Sequence, residues 1–148
     1  MGWLELLAEF IKEKEEKENL LSQKFPQFSF STSADRWIES NMNNTILEQL
    51  EDRKIKNVFF NRLKCKGILS NMKDNFFVQI NENDTMEEKA LTLGHEIAHI
   101  FEYEYNKGDD RWLKNLPIIE TFCDEFAKKW ITLNGKEKIE SFLKGDIQ

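Results

Sequence analysis

The chain has 148 residues, of which 27 are acidic and 21 basic, and 40% of its side chains are hydrophobic. This length suffices for one domain with a buried core and is short for two. The net charge of −6 argues against a protein that mainly wraps nucleic acid, and no segment resembles a membrane span or a signal peptide. We therefore expect a single domain over residues 1–148, in the cytoplasm, with Cys65 and Cys123 reduced and without direct binding of nucleic acid or membrane.

The N-terminal part, residues 1–54, is predicted to be helical. Residues 2–24 carry apolar side chains at helical spacing before a charged run that suits a solvated helix face. Pro26 and a Ser/Thr cluster at 29–33 interrupt this pattern, and residues 34–50 resume it as a second helix. We expect both helices to serve as scaffold.

The middle of the chain changes to short runs of aromatic and β-branched residues. Three such runs, at residues 57–63, 66–70 and 75–81, predict a small antiparallel sheet. Thr85 and Glu88 then form a capping box, which predicts the start of a helix that runs to about residue 104. The expected fold class is therefore α+β, with an approximately three-stranded sheet packed against helices.

The last third of the chain is predicted to be helical again after a turn at residues 106–110. Pro117 suits the first turn of the next helix, and an apolar stripe follows it to residue 133. Asn134 and Gly135 should end that helix, and residues 136–144 can add a short one. Residues 55–133 then lie between the N-terminal helical part and a C-terminal helical tail at 134–148.

The two histidines of the chain, His95 and His99, stand four residues apart on a predicted helix. This spacing directs both imidazoles to one face, where they can bind the same metal ion. Glu96 lies at the edge of that face, where its carboxylate can accept a proton from a metal-bound water. The HExxH pattern predicts one catalytic Zn²⁺ per chain with Glu96 as general base. A non-catalytic metal site and a histidine pair without metal are the alternatives.

A catalytic zinc needs a third protein ligand and an open position for water. Since the chain has no further histidine, this ligand must be a carboxylate or a thiolate. Glu120 is the preferred candidate, because Asp124 follows it by one turn and could hold a ligating imidazole in one tautomer. Cys123 is the rival, although its apolar neighbours suit a small buried side chain. Glu102 and Glu104 are further candidates, but their position beyond His99 on the same helix is poor for closing a tetrahedron.

Three segments of the sequence carry a resemblance to a known family. They are a strand that ends in an Ile-Asn pair (76–81), a helix with HExxH (91–100) and a helix that reads Glu-Thr-Phe-Cys-Asp-Glu-Phe-Ala (120–127). Together they resemble the ImmA/IrrE family of zinc metallopeptidases over residues 55–133. Cys123 and Asp124 stand where the family pattern has Ala and Asn, and Asp124 gives the Glu-x-x-x-Asp spacing of gluzincins.

The resemblance implies a minimal zincin-like fold, zinc on His95, His99 and Glu120, and Glu96 as the general base. Members of the family inactivate helix-turn-helix repressors of phages and mobile elements, so the implied partner is a separate DNA-binding repressor. We therefore predict a zinc metallo-endopeptidase that hydrolyses a peptide bond in such a protein. The alternative is a metal-stabilised anti-repressor that inactivates its partner by docking, without cutting it.

Two further features are open to two interpretations each. Residues 53–73 carry seven basic side chains and no acidic one, which suits either a docking strip for an acidic partner or lysines that protect an exposed edge strand. We favour the edge strand. Tyr103 and Tyr105 could each donate a hydrogen bond to the oxyanion of a tetrahedral intermediate, but ordinary half-buried tyrosines are the simpler interpretation.

Overall fold

The computed structural model of the chain describes residues 2–24, 30–105 and 116–145. Within these ranges the chain forms six helices and three strands, which is the predicted α+β class. In chain order they are α1 (Trp3–Lys24), α2 (Phe30–Asn41), α3 (Ile46–Asp52), β1 (Ile55–Asn61), β2 (Gly67–Met72), β3 (Asn75–Asn81), α4 (Met86–Tyr105), α5 (Leu116–Asn134) and α6 (Lys136–Leu143). Across this described part, no helix is long and apolar enough to cross a membrane.

The sheet is mixed, so the prediction of an antiparallel sheet is wrong for one of its two pairings. Its strand order is β1-β3-β2, with β3 parallel to β1 and antiparallel to β2. Lys73 and Asp74, both at positive φ, form a tight turn that makes β2 and β3 a hairpin. Residues 62–66 connect the end of β1 to the start of β2 at the same edge of the sheet, with β3 between the two strands. β1 and β2 therefore run in opposite directions. β1 is thereby parallel to β3.

The single helix predicted over residues 34–50 is also wrong, because α2 ends at Asn41 and α3 begins at Ile46. Thr45 is the N-cap of α3: its side chain accepts a hydrogen bond from the backbone N–H of Glu48, and the Glu48 carboxylate accepts one from the backbone N–H of Thr45. This reciprocal capping stabilises a new helix start rather than a continuous helix. The same Thr-x-x-Glu signal that predicts a helix start at Thr85 is present here in the sequence.

The other elements agree with the predictions to within about two residues. β3 spans the predicted residues 75–81, and β1 and β2 are shifted by up to two residues at their ends. The hydroxyl of Thr85 accepts a hydrogen bond from the backbone N–H of Glu88 at the start of α4. Pro117 lies in the first turn of α5. The predicted break at Pro26 and the predicted turn at 106–110 lie outside the described residues. The predicted interruption by the Ser/Thr cluster is wrong for residues 30–33, because α2 already begins at Phe30.

The core lies between one face of the sheet and helices α4 and α5. Phe76, Val78 and Ile80 alternate along β3 and are buried on the face that α4 covers. On the other side of α4, Trp130 of α5 is fully buried. Its indole N–H donates a hydrogen bond to the buried Gln49 of α3. One continuous cluster of buried side chains extends from α2 to α6, so α4 is surrounded by packed neighbours that fix its position.

Candidate metal centre

Helix α4 brings its two histidines together at the surface of the core. His95 and His99 are one turn apart, and their Nε2 atoms lie 3.1 Å from each other. The rings meet edge to face, with centroids 4.8 Å apart. Both side chains are only partly exposed, because the opposite face of α4 packs into the core. The pair therefore presents two ring nitrogens to one point.

Glu120 of α5 faces the same point. Its Oε2 atom lies 2.9 Å from Nε2 of His95, and its Oε1 atom lies 3.4 Å from Nε2 of His99. The structure thus brings together the three residues that the sequence suggested as zinc ligands. Two imidazole nitrogens and a carboxylate are a donor set that suits zinc.

Each imidazole has a carboxylate on its other side. Nδ1 of His95 lies 3.0 Å from Oδ1 of Asp124, and Nδ1 of His99 lies 3.3 Å from Oε1 of Glu102. Because an ionised carboxylate only accepts hydrogen bonds, each imidazole in its neutral form is favoured in the tautomer that has the proton on Nδ1 and a lone pair on Nε2. The two Nε2 atoms and the two carboxylate oxygens of Glu120 then lie close together with their lone pairs, an arrangement that a cation stabilises. The residues present fit a metal ion on this ground.

Sequence reasoning missed the role of Glu102. It considered this residue as a fallback ligand, whereas Glu102 lies on the Nδ1 side of His99, away from Nε2. Burial lowers the pKa of His99, but the hydrogen bond to Glu102 and the nearby carboxylates of Glu96 and Glu120 together raise it above its ordinary value. The three-residue spacing between His99 and Glu102 was the available signal for this contact.

Glu96 is buried beside the two histidines, with 7% of its surface exposed. Burial raises the pKa of its carboxyl group, and the neighbouring His99 and His95 oppose this shift. Gly67 at the start of β2 packs against this region: a Cβ atom there would lie 3.4 Å from Oε1 of Glu96 and 2.4 Å from Cγ2 of Thr92. A glycine at this position therefore allows the edge strand to lie close to the carboxylate.

Helices α4 and α5, which carry the site, approach each other closely at Gly94, which has no side chain. A Cβ atom on Gly94 would lie 2.8 Å from Cα of Ala127 and 3.1 Å from the Trp130 ring. The small residues at 94 and 127 thus let α4 and α5 cross at short distance. Since His95 follows Gly94 directly, this crossing brings its ring within reach of Glu120 and Asp124.

Cys123 is the rival ligand, and the structure keeps it near the site. One ligand atom each from His95, His99 and Cys123 lie within 4.8 Å of one another, a group that could hold a metal ion. The thiol is fully buried, and burial together with the carboxylates of Glu120 and Glu102 raises its pKa. A raised pKa disfavours the thiolate that binds metal. The Glu120 oxygens lie within 3.4 Å of both Nε2 atoms, so we regard Glu120 as the better third ligand.

The site opens into a cavity of about 640 Å³. Its walls include the side chains of His95, Glu96, His99, Glu120 and Asp124, together with Lys66 and Gly67 at the start of β2. A cavity of this size accommodates several residues of an extended peptide beside the histidines. Lys66 and Gly67, where the edge strand β2 begins, form one side of it, and side chains of α4 and α5 form the rest.

Two predicted candidates lie elsewhere. The hydroxyl of Tyr103 accepts a hydrogen bond from the Asn71 amide at 3.2 Å, and Tyr103 lines a separate cavity with Asn71, Phe76 and Glu104. Glu104 forms an ion pair with Arg53. The side chain of Tyr105 lies outside the described residues. The structure therefore does not bring Tyr103 or Glu104 to the cavity of the histidines.

The basic segment 53–73 covers β1 and β2, the two edge strands of the sheet. Arg62 pairs with Glu82, and Lys66 contributes to the cavity of the histidines. Lys56 is the one charged side chain within β1, and β2 carries none between its flanking residues Lys66 and Lys73, so protection of the strand edges by lysines stays an expectation.

Comparison of the chain with protein-family models, with curated proteins and with solved structures gives no match. The resemblance to the ImmA/IrrE family thus depends on the sequence segments 76–81, 91–100 and 120–127 alone.

Proposed function

We propose that the chain is a zinc-dependent metallopeptidase that hydrolyses a peptide bond in a protein substrate. The convergence of the His95 and His99 Nε2 atoms with the Glu120 carboxylate carries this proposal. A buried carboxylate, Glu96, adjoins the same cavity and supplies the general base that such a reaction needs.

His95, His99 and Glu120 would hold the zinc ion. When bound, zinc supplies Lewis acidity that polarises a carbonyl group and acidifies water. Asp124 and Glu102 hold the two imidazoles with Nε2 directed at the ion. Glu96 accepts a proton from the attacking water and returns it to the nitrogen of the leaving amine.

The substrate class follows from the motif resemblance to the ImmA/IrrE family. On that basis we propose that the substrate is a DNA-binding repressor of a phage or mobile element. The edge strand β2 begins at the wall of this cavity with Gly67, and an edge strand is able to pair with an extended segment of a protein chain.

The first experiment is elemental analysis of the purified protein, with His95→Ala and Glu120→Ala as ligand variants. We expect about one zinc per chain in the parent and a loss of zinc in both variants. A parent that takes up no metal, even after zinc is added at neutral pH, would contradict the proposal.

Catalysis is then tested with Glu96→Gln, which keeps the size of the side chain and removes the base. We expect this variant to retain zinc and to lose peptide hydrolysis by about 100-fold or more. Glu104→Gln is the matched control, because Glu104 lies on the same helix but points away from the cavity and pairs with Arg53. If Glu96→Gln cleaves substrate at the parent rate, the assignment of the base is wrong. If the Glu96→Gln variant inactivates the partner in cells as well as the parent does, the protein acts by docking alone.

A further inference from the structure

A second, apolar pocket lies one helical turn from the candidate metal centre. Its volume is about 350 Å³, and apolar side chains from three helices form its walls: Leu7 and Phe10 of α1, Leu91 of α4 and Ile131 of α5. Leu91 precedes His95 by one turn on α4, and Lys128 follows Asp124 by one turn on α5. Both Leu91 and Lys128 line this pocket and also the cavity of the histidines. Leu91 and Lys128 therefore form the boundary between the two pockets, so a peptide bound at the histidines lies next to the apolar pocket.

The rim of this pocket is acidic. Glu9 and Glu13 of α1 and Glu87 of α4 line it and are exposed, and Lys128 is the basic residue at the rim. With three carboxylates and one ammonium group, the rim has a net negative charge, which favours a basic group on the molecule that binds in the pocket. An apolar interior with this rim is complementary to a bulky apolar side chain that has a lysine or arginine as its neighbour.

An ion-pair network connects α1 to α2 and α5. Asp35 of α2 pairs with Lys14 of α1 and with Lys129 of α5, the latter at 2.9 Å. Helix α1 lies outside residues 55–133, which carry the metallopeptidase motifs. The pocket thus combines two walls from the motif-bearing helices with one from the N-terminal part.

We infer that this pocket is a specificity site that receives a bulky apolar side chain of the peptide substrate, with a basic residue beside it at the acidic rim. This inference rests on the proposed peptidase function. It assigns to α1 the selection of the substrate sequence, while the histidines and Glu96 act on the peptide bond.

The test uses the full-length, zinc-loaded protein and a mixture of peptides derived from a whole proteome, with cleavage sites identified by mass spectrometry. The Glu96→Gln variant gives the background from contaminating proteases. We expect Leu, Ile, Met or Phe to be enriched at one fixed distance from the cleaved bond, with Lys or Arg next to it.

Two variants change the pocket in opposite directions. Ile131→Phe narrows it and should shift the preference towards Ala and Val, with kcat/KM for the best parent peptide reduced about tenfold or more. Phe10→Ala widens it and should shift the preference towards larger aromatic side chains. Because Phe10 belongs to α1 and not to the central core, this variant remains informative even if Ile131→Phe folds poorly. Leu4→Ala is the control, since Leu4 is 83% exposed on the same helix.

A second measurement separates binding from turnover. The best parent peptide, labelled with a fluorophore, is titrated with protein that carries Glu96→Gln. We expect its Kd to rise about tenfold when Ile131→Phe is added and to stay unchanged with Leu4→Ala.

The outcomes distinguish the two proposals. Cleavage without a residue preference at any fixed position, or with a preference that both pocket variants leave unchanged, would overturn the specificity site and leave the peptidase function standing. No cleavage by the zinc-loaded parent above the Glu96→Gln background would overturn both.

Discussion

Nδ1 of His95 lies 3.0 Å from Oδ1 of Asp124, so a carboxylate on α5 fixes the orientation of an imidazole on α4. Such a partner holds the ring in the tautomer that leaves Nε2 available to a metal ion. Because Asp124 follows Glu120 by one turn, the same face of α5 supplies both a candidate ligand and the residue that positions another ligand.

We therefore expect Asp124→Ala to weaken zinc binding by about 10- to 100-fold, measured by competition with a chromophoric chelator. Asp124→Asn should weaken it less, because an amide oxygen can still accept the Nδ1 hydrogen bond. Thr132→Ala, an exposed substitution on the same helix, should leave the affinity unchanged. Equal affinities for Asp124→Ala and the parent would show that Asp124 does not position His95.

The choice between Glu120 and Cys123 as third ligand can be made with cobalt. Since the Glu120 oxygens lie 2.9 Å from Nε2 of His95 and 3.4 Å from Nε2 of His99, we expect the Co²⁺ form to lack thiolate-to-cobalt absorption in the near ultraviolet. Cys123→Ala should keep one metal per chain, whereas Glu120→Ala should lose it. The opposite pattern, with a thiolate band that disappears in Cys123→Ala, would assign the third position to the thiol.

Much of the site was readable from the sequence because it depends on helical periodicity. His95 and His99, and likewise Glu120 and Asp124, share a helix face wherever those helices form. The contact between these two helix faces depends on the tertiary fold. It is made possible by the close approach of Gly94 to Ala127, and no local sequence pattern marks this pair. The role of Glu102 depends on the same packing, since the rotation of α4 decides which atom of His99 it meets.

The errors in the fold have physical causes of the same kind. Hydrophobic patterning identifies strands but not their order. The turn at Lys73 and Asp74 pairs β2 with β3, whereas the position of β3 between β1 and β2 depends on tertiary contacts that no local pattern marks. The break between α2 and α3 was different, since Thr45 and Glu48 already carried the signal of a helix start. The pocket under α1 could not be predicted, because it exists only where three separate helices meet.

Gly94 should be sensitive to the addition of a single methyl group. Its Cβ would lie 2.8 Å from Cα of Ala127, so we expect Gly94→Ala to lower the free energy of unfolding by about 1–3 kcal/mol, despite the better helix propensity of alanine. Zinc affinity should fall with it, because α5 carries Glu120. Adding Ala127→Gly should restore part of the loss, as urea denaturation of all four proteins in the cycle would show. If the changes in the free energy of unfolding of the two single variants simply add up in the double variant, residues 94 and 127 are not in steric conflict.

The capping box of α3 predicts a dependence of stability on pH. The hydrogen bonds from Thr45 lower the pKa of Glu48 in the folded state, so this residue stabilises the fold above its unfolded pKa. That contribution is lost as the pH falls through the folded pKa. Glu48→Gln keeps a capping side chain without the charge, so the stability difference between parent and variant should shrink from pH 7 to pH 3 in urea titrations. A difference that does not change with pH would exclude a role for the charge.

The buried Gln49 side chain joins three helices through hydrogen bonds. It accepts from the Trp130 indole at 2.9 Å and donates to the Asn134 side chain at 2.7 Å and to the Asn41 carbonyl at 3.1 Å. Gln49→Leu would leave these buried groups without their partner, so we expect the free energy of unfolding to fall by about 2–4 kcal/mol. Glu51→Leu, exposed on the same helix, should change it by less than about 0.5 kcal/mol in the same urea titration. Because Trp130 also packs against Gly94, we expect Gln49→Leu to weaken zinc binding as well. If Gln49→Leu is as stable as the parent, the Trp130, Asn134 and Asn41 groups find other hydrogen-bond partners.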